Sequence, residues 1–380
     1  MAQQTQSPIL GVLGGGQLGR MLIQSAINYN QDIHILDPDP NAPCKDLCQK
    51  FAVGSLKDFD TVYAFGKECD VITVEIESVN AEALIQLEKE GKKVYPQPQI
   101  LKLIQDKREQ KQFYKEQGIP TAEFILTENK AEVIHNKGFL PAVNKLGKEG
   151  YDGRGVQLLR TEADLKNAFD APGLLEKLID FDKEIAVTVA RNESGDLIVY
   201  PAVECAFHPT ANLVEFLFAP ADISAEVEQK AKEIAKEVIL KLGMVGILAV
   251  EMFVTKEGEV LVNEIAPRPH NSGHHTIEAN FTSQFEQHLR SVMNWPLGNP
   301  DLRCPAAMIN LLGEEGFTGP AIVEGQDEAI AEKGVYIHMY GKKLTKPFRK
   351  MGHVTVLDED VSKLKTKAMK IKGIIKIKSV

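Results

Sequence analysis

Two glutamates, Glu251 and Glu264, bracket the stretch EMFVTKEGEVLVNE. A two-residue hairpin loop at Glu257-Gly258 would pair 256 with 259, 253 with 262 and 251 with 264. The two carboxylates then face each other on one side of the sheet, Cβ atoms roughly 5 Å apart, beside Phe253 and Val262. Like charges at that spacing repel unless a cation joins them, and carboxylate with phosphate oxygen is the ligand set Mg²⁺ prefers. A solvated sheet face is the alternative, disfavoured by the apolar residues around both glutamates. Strict alternation turns Asn263 away, so it joins the pair only through a bulge or bend after Val262.

A second cluster is KLGKEGYDGRG, residues 145–155. Its glycines let backbone N–H groups approach phosphate oxygens, and Lys145, Lys148 and Arg154 supply charge. A lid over a triphosphate is the reading favoured over an ordinary hairpin loop. No Gly-Lys-Ser/Thr closes it, so it is not a Walker A loop. A third cluster, APRPHNSGHHT, follows Glu264 directly. Its prolines stiffen a row of donors suited to an anionic or hydroxyl-rich substrate. Zinc on His270, His274 and His275 competes, but H-x₃-H-H fits no standard zinc frame. A fourth, ILGVLGGGQLGRML at residues 9–22, has the glycine spacing of a dinucleotide loop, with Asp37 about twenty residues on. An NAD-dependent oxidoreductase is therefore one reading. The physics is more general, because N–H groups at a helix start bind any anion.

The elements that hold these clusters follow from periodicity. Strands are expected at 9–13, 32–37 and 71–77, with helices from Gln17 and over 80–91, implying a parallel sheet packed by helices. VYPQPQIL marks an exit, and residues 100–118 read as one charged helix ending at Gly118. Antiparallel strands with glycine-rich turns, a helix over 224–243 and the hairpin at 245–265 make an α+β unit. From about residue 301 a smaller, mostly-β unit runs to the end. In its tail Val361, Leu364, Ala368 and Ile371 form one helix face, and Ile375 and Ile377 alternate with lysines in a strand.

The 380 residues suit two or three domains. With 44 basic and 53 acidic residues, a net charge of −9 disfavours nucleic-acid binding held by phosphate contacts. No stretch has the apolar length of a membrane span, and the N-terminus lacks a signal-peptide pattern. Five scattered cysteines, Cys44 and Cys48 among them, read as reduced cytoplasmic thiols.

In this order GGGQLGRM (14–21), TVEIESV (73–79), QDKREQKQF (105–113), GYDGRG (150–155), NEIAPRPHNSGH (263–274) and RKMGHV (349–354) resemble the ATP-grasp enzymes. The closer resemblance is to their aminoimidazole-ribonucleotide-carboxylating branch, in purine biosynthesis. It implies a combined α/β and α+β fold: a Rossmann-like N-terminal domain (1–104), an ATP-grasp central domain (105–300) with its lid at 145–156, and a small mostly-β C-terminal domain (301–380). It implies a homodimer that couples ATP, bicarbonate and 5-aminoimidazole ribonucleotide, with Mg²⁺ or alternatively Mn²⁺.

For ATP the resemblance points to Lys107, Lys145, the lid residues Gly150, Tyr151, Asp152, Gly153, Arg154, Gly155 and Val156, backbone groups of Glu176, Lys177, Leu178 and Ile179, Glu184, His208, Asn263 and Glu264. Glu251 and Glu264 would carry the metal. The ribonucleotide would meet Gln17, Leu18, Glu75, Tyr151, Asp152, Arg268, His270, Asn271, Ser272, Lys342 and Arg349. Catalysis would fall to Asp152, Tyr151, Arg268 and Lys145, through carboxyphosphate, with Asp152 orienting or deprotonating the attacking amine. A formate-using ribonucleotide ligase and a non-catalytic nucleotide binder are the remaining alternatives.

Overall fold

The structure, a computed structural model, describes residues 7–148, 155–207 and 213–380. The first segment is a parallel sheet in the order Lys50–Val53, Ile33–Asp37, Leu10–Leu13, Val71–Val74, Lys93–Val94. The strand expected to run to 77 stops at Val74, so Glu75 leaves the ladder at the carboxyl edge of the sheet. Sequence periodicity did not disclose the edge strand Lys50–Val53, half-exposed and short, or the helix Phe59–Lys67 after it.

The single helix expected over 100–118 is two, Pro98–Ile104 and Lys107–Gln117. Asp106 makes the break: its carboxylate accepts from Arg108 N–H at 3.0 Å, a cap that competes with helix continuation. Lys107 thereby starts a new helix. Gly118, in the left-handed region at φ 68°, ends it.

Beyond it, among the described residues, lie a three-stranded antiparallel sheet in the last segment (Leu344–Thr345, Gly319–Glu324, Lys376–Ser379) and two larger antiparallel sheets. The smaller of these two has the order Phe124–Thr127, Gly173–Lys177, Ala142–Leu146, Val156–Leu159. The larger runs Val260–Ala266, Gly246–Thr255, Phe181–Arg191, Val203–Phe207, Val214–Ala219, Ala306–Leu312, Lys350–Leu357, Val335–Met339, with Leu197–Val199 beside Phe181–Arg191. It continues across residue 301, since Val214–Ala219 pairs with Ala306–Leu312. The helix Ala225–Leu242 covers it through Ala231, Ile234, Ala235, Val238 and Ile239.

One core joins all three segments. Leu18, Met21 and Leu22 of helix Gln17–Ile27 pack with Phe285 and Leu289 of helix Gln284–Val292 and with Tyr340. In the last segment the helix Val361–Ile374 buries Leu364, Ala368 and Ile371. Val361, expected on that face, is 47% exposed in the first turn. Among the described residues no helix is long and apolar enough to cross a membrane.

Candidate functional site

Glu251 and Glu264 are cross-strand partners, as expected, but the ladder around them is not the expected one. The turn is longer: Thr255 N–H donates to Glu259 O and Gly258 N–H to Thr255 O, with Gly258 at φ 80°. This is a three-residue loop with a left-handed glycine. It shifts the register by one, so Phe253 opposes Leu261 and Met252 opposes Val262. Val262 therefore does not share a face with Phe253 and lies in the core with Met252. A bulge then absorbs one residue between Val262 and Glu264 and restores the glutamate pair. That residue is Asn263, and the bulge turns its amide into the site, where Oδ1 accepts from Lys145 Nζ at 3.0 Å.

Three lysines converge here. Lys107 Nζ is 2.5 Å from Glu264 Oε2. Lys145 Nζ is 2.5 Å from Glu176 Oε2, whose other oxygen is 2.5 Å from Lys111 Nζ. Lys107 pulls the Glu264 carboxyl well below its ordinary range. Burial and the facing Glu264 push Glu251 up. Glu184 is pushed up to about 8 by burial, then by Glu251 and Glu264. It stands opposite Phe253 and Cys205 in the large sheet and lines a cavity of about 280 Å³ with Phe181, Lys183, Glu204 and Phe207.

Of the stretch Glu176–Ile179, Lys177 N–H already donates to Glu123 O and Leu178 N–H to Pro141 O. These two donors are occupied by the fold, which narrows the backbone role expected of them. Glu176 instead turns a buried carboxylate to two lysines. Sequence reading missed that, and missed Lys111. The four-residue spacing from Lys107 to Lys111 puts both on one helix face and is the one signal that could have found it.

A second cluster adjoins the first. His270 Nδ1 is 3.6 Å from Glu251 Oε1 and 2.9 Å from Ser272 Oγ. Arg268 Nε is 2.8 Å from Glu77 Oε1. Asn271 Nδ2 is buried without a hydrogen-bond partner among the described residues. Gln284, also missed, pins this loop: its Oε1 accepts from His270 N–H at 2.9 Å and its Nε2 donates to His270 O at 2.8 Å.

The glycine-rich loop closes on acids of its own domain. Asp37 Oδ2 accepts from Gly15 N–H at 2.6 Å, so it braces the loop. Glu75 Oε1 accepts from Leu18 N–H at 3.1 Å, at the start of the helix that Gln17 opens. A Cβ on Gly16 would lie 2.5 Å from that oxygen, so a larger residue there displaces the Glu75 carboxylate. Burial lifts Glu75 to about 7, against the opposing charges of Arg268 and Lys342. Asp37 is the acid a dinucleotide would need, and the fold uses it internally. Lys342 Nζ donates to Lys350 O at 2.8 Å, and Arg349 Nη1 to Leu344 O at 2.7 Å.

His274 and His275 are not loop donors. Both are buried; His274 Nδ1 is 3.0 Å from Gln284 Nε2 and its ring centre 4.8 Å from that of His353. Among the described residues no three His, Cys, Asp or Glu side chains form a metal-like group. Cys44 and Cys48 are free thiols, Cys44 buried with Sγ 3.4 Å from Gly16 O. Gly155, at φ 73°, and Val156 lead into the strand Val156–Leu159. Gly150, Tyr151, Asp152, Gly153, Arg154 and His208 lie outside the described residues.

The chain matches known families along most of its length. The ATP-grasp domain family matches residues 112–285, the ribonucleotide synthetase preATP-grasp domain 8–105, and the phosphoribosylaminoimidazole carboxylase C-terminal domain 306–367. It is 39% identical over 367 residues to the chloroplastic phosphoribosylaminoimidazole carboxylase of Vigna aconitifolia, covering 94% of this chain and 65% of that relative. It thus spans slightly less than two thirds of that longer protein. It is 36% identical to the N5-carboxyaminoimidazole ribonucleotide synthase of Bacillus subtilis, covering 96% of both. The crystal structure of N5-carboxyaminoimidazole ribonucleotide synthetase from Thermotoga maritima superimposes with a TM-score of 0.91 at 43% identity, covering 98% of this chain and 100% of that one. The Aspergillus clavatus N5-carboxyaminoimidazole synthase, in complex with ADP and 5-aminoimidazole ribonucleotide, has a TM-score of 0.88 at 33% identity, covering 97% and 98%.

Proposed function

The chain belongs to the N5-carboxyaminoimidazole ribonucleotide synthetase family of ATP-grasp enzymes, and we propose that it carboxylates 5-aminoimidazole ribonucleotide with ATP and bicarbonate. One observation carries this reading. The lysine and carboxylate cluster of Lys107, Lys145, Asn263, Glu251 and Glu264 meets the Arg268–Ser272 loop through the 3.6 Å approach of His270 to Glu251. A phosphate-handling site and an acceptor site thus share a border.

The donor set fits Mg²⁺: two facing carboxylates and an amide oxygen, all hard ligands, with Glu251 raised by burial and then by the facing Glu264. Glu251 and Glu264 would hold it, with Asn263 beside them, and the ion supplies charge neutralisation for phosphoryl transfer. Lys107 and Lys145 neutralise the transferring phosphoryl group. A bicarbonate oxygen attacks the γ-phosphorus and the bond to ADP breaks, giving carboxyphosphate. The exocyclic amine nitrogen then attacks the carboxyl carbon, the bond to phosphate breaks, and the amine gives up a proton to Asp152. Arg268, His270, Asn271 and Ser272, with Leu18 and Glu75, bind the ribonucleotide; Lys342 and Arg349 supply charge for its phosphate. We take the enzyme to be a cytoplasmic homodimer.

ADP release tests this reading when measured with and without each co-substrate. Release that needs both bicarbonate and the ribonucleotide is expected. Release with formate in place of bicarbonate would favour the formate-using alternative, and release needing neither would overturn the proposal.

A further inference from the structure

Lys111 is a buried cation for which the mechanism above has no use. It is 3% exposed, with Nζ 2.5 Å from Glu176 Oε1, 2.5 Å from Thr121 Oγ1 and 5.7 Å from the ring centre of Tyr114. The second oxygen of Glu176 is 2.5 Å from Lys145 Nζ, which also donates to Asn263 Oδ1 at 3.0 Å. Thr121 Oγ1 donates to Val262 O at 2.6 Å, one residue before Asn263. These contacts close a ring: Lys111, Glu176, Lys145, Asn263, the chain back to Val262, and Thr121. It joins the small sheet, which carries Lys145 and Glu176, to the large sheet, which carries the bulge at Asn263.

We propose that Lys111 is a positioning residue for nucleotide phosphates: by drawing on one oxygen of Glu176, it weakens that carboxylate's hold on Lys145 and sets where Lys145 points. The inference rests on the reading of Lys145 as a phosphate ligand. Charge balance carries it. One carboxylate is shared between two ammonium groups, so a net positive charge remains at Lys145 for an incoming anion. With an uncharged residue at 111, the whole charge of Glu176 acts on Lys145, and a phosphate must compete with a stronger pair in order to bind.

The arrangement is costly. Burying an ammonium group carries a desolvation penalty, and well-packed apolar residues often replace a buried ion pair without loss. Burial draws Lys111 down to about 8, with Glu176 opposing and the charges of Lys145 and Lys107 adding to the fall. Packing alone would be served by methionine.

The test is ATP affinity in the presence of Mg²⁺, measured by calorimetry without the other substrates, on the full chain. Lys111→Met is expected to weaken ATP binding about tenfold, and Lys111→Met with Glu176→Gln to recover to within about threefold of wild type, because both charges are then gone. Should Lys111→Met fail to give a cooperative thermal transition, Lys111→Gln makes the same comparison with a polar side chain. Affinity within about twofold of wild type in a folded Lys111 variant overturns the proposal. So does a double variant no better than the single. Lys145→Met is the separate control: unchanged ATP affinity there would overturn the phosphate-site reading itself, and this inference with it.

Discussion

Glu251 and Glu264 are direct cross-strand partners, although the next pair of the ladder, Met252 and Val262, is one register step off. The bulge that reconciles the two registers turns Asn263 toward Lys145. One irregularity therefore places a carboxylate pair and an amide oxygen on a common site, and Lys107 already sits on one member of that pair.

Glu264→Gln is expected to raise the Mg²⁺ concentration needed for half-maximal ADP release by about tenfold or more. The change removes one anionic ligand and the partner of Lys107. A metal titration of ADP release measures it, and an unchanged midpoint would refute the metal assignment.

Gly16→Ala acts at the other end of the site. Its Cβ would lie 2.5 Å from Glu75 Oε1, so the carboxylate must leave Leu18 N–H. The expected result is a KM for the ribonucleotide raised about tenfold with ATP affinity unchanged. A loss of ATP affinity instead would put the glycine loop at the ATP site.

Asp152→Ala is expected to leave ATP binding within about threefold of wild type and to lower carboxylation by about 100-fold or more, the range of a lost general acid or base. Product formation at the wild-type rate would remove Asp152 from proton transfer.

Buried His288, bonded to Thr73 Oγ1 at 2.9 Å, is held down to about 3 by burial. The unfolded chain takes up that proton near pH 6.5 and the folded chain does not. The neutral histidine's contribution is therefore fully present above pH 6.5 and is lost as pH falls below it. The stability advantage of wild type over His288→Gln should shrink by about 2 kcal/mol between pH 7.5 and pH 5. Urea unfolding at the two pH values measures it, and a pH-independent difference would contradict the assignment.

Local chemistry made much of this legible. Apolar runs place strands at 9–13 and 32–37, one residue longer than the observed Leu10–Leu13 and Ile33–Asp37, and a helix from Gln17, and the acids and glycines of the hairpin point to the glutamate pair. The pair was found from a register wrong by one step, because the loop is one residue longer and the bulge one residue larger than a regular ladder. Asp106 was a readable helix cap that periodicity overrode. Lys111, Glu176 and Gln284 escape for a different reason. Their roles lie in contacts to other elements of the chain; for Lys111 the four-residue spacing from Lys107 marks the shared helix face but not its burial. The histidines of the polar loop show the same limit: two that read as donors, His274 and His275, are packed inside, and His353 from the last segment meets His274 there.

The central claim is that ATP hydrolysis is coupled to carbon–nitrogen bond formation on the ribonucleotide. Incubation with ¹³C-bicarbonate, ATP, Mg²⁺ and 5-aminoimidazole ribonucleotide, followed by ¹³C NMR alongside an ADP assay, tests it directly. The account predicts a carbamate carbon on the exocyclic nitrogen in equal amount to the ADP released. ADP released with no labelled carbon on the ribonucleotide would contradict it.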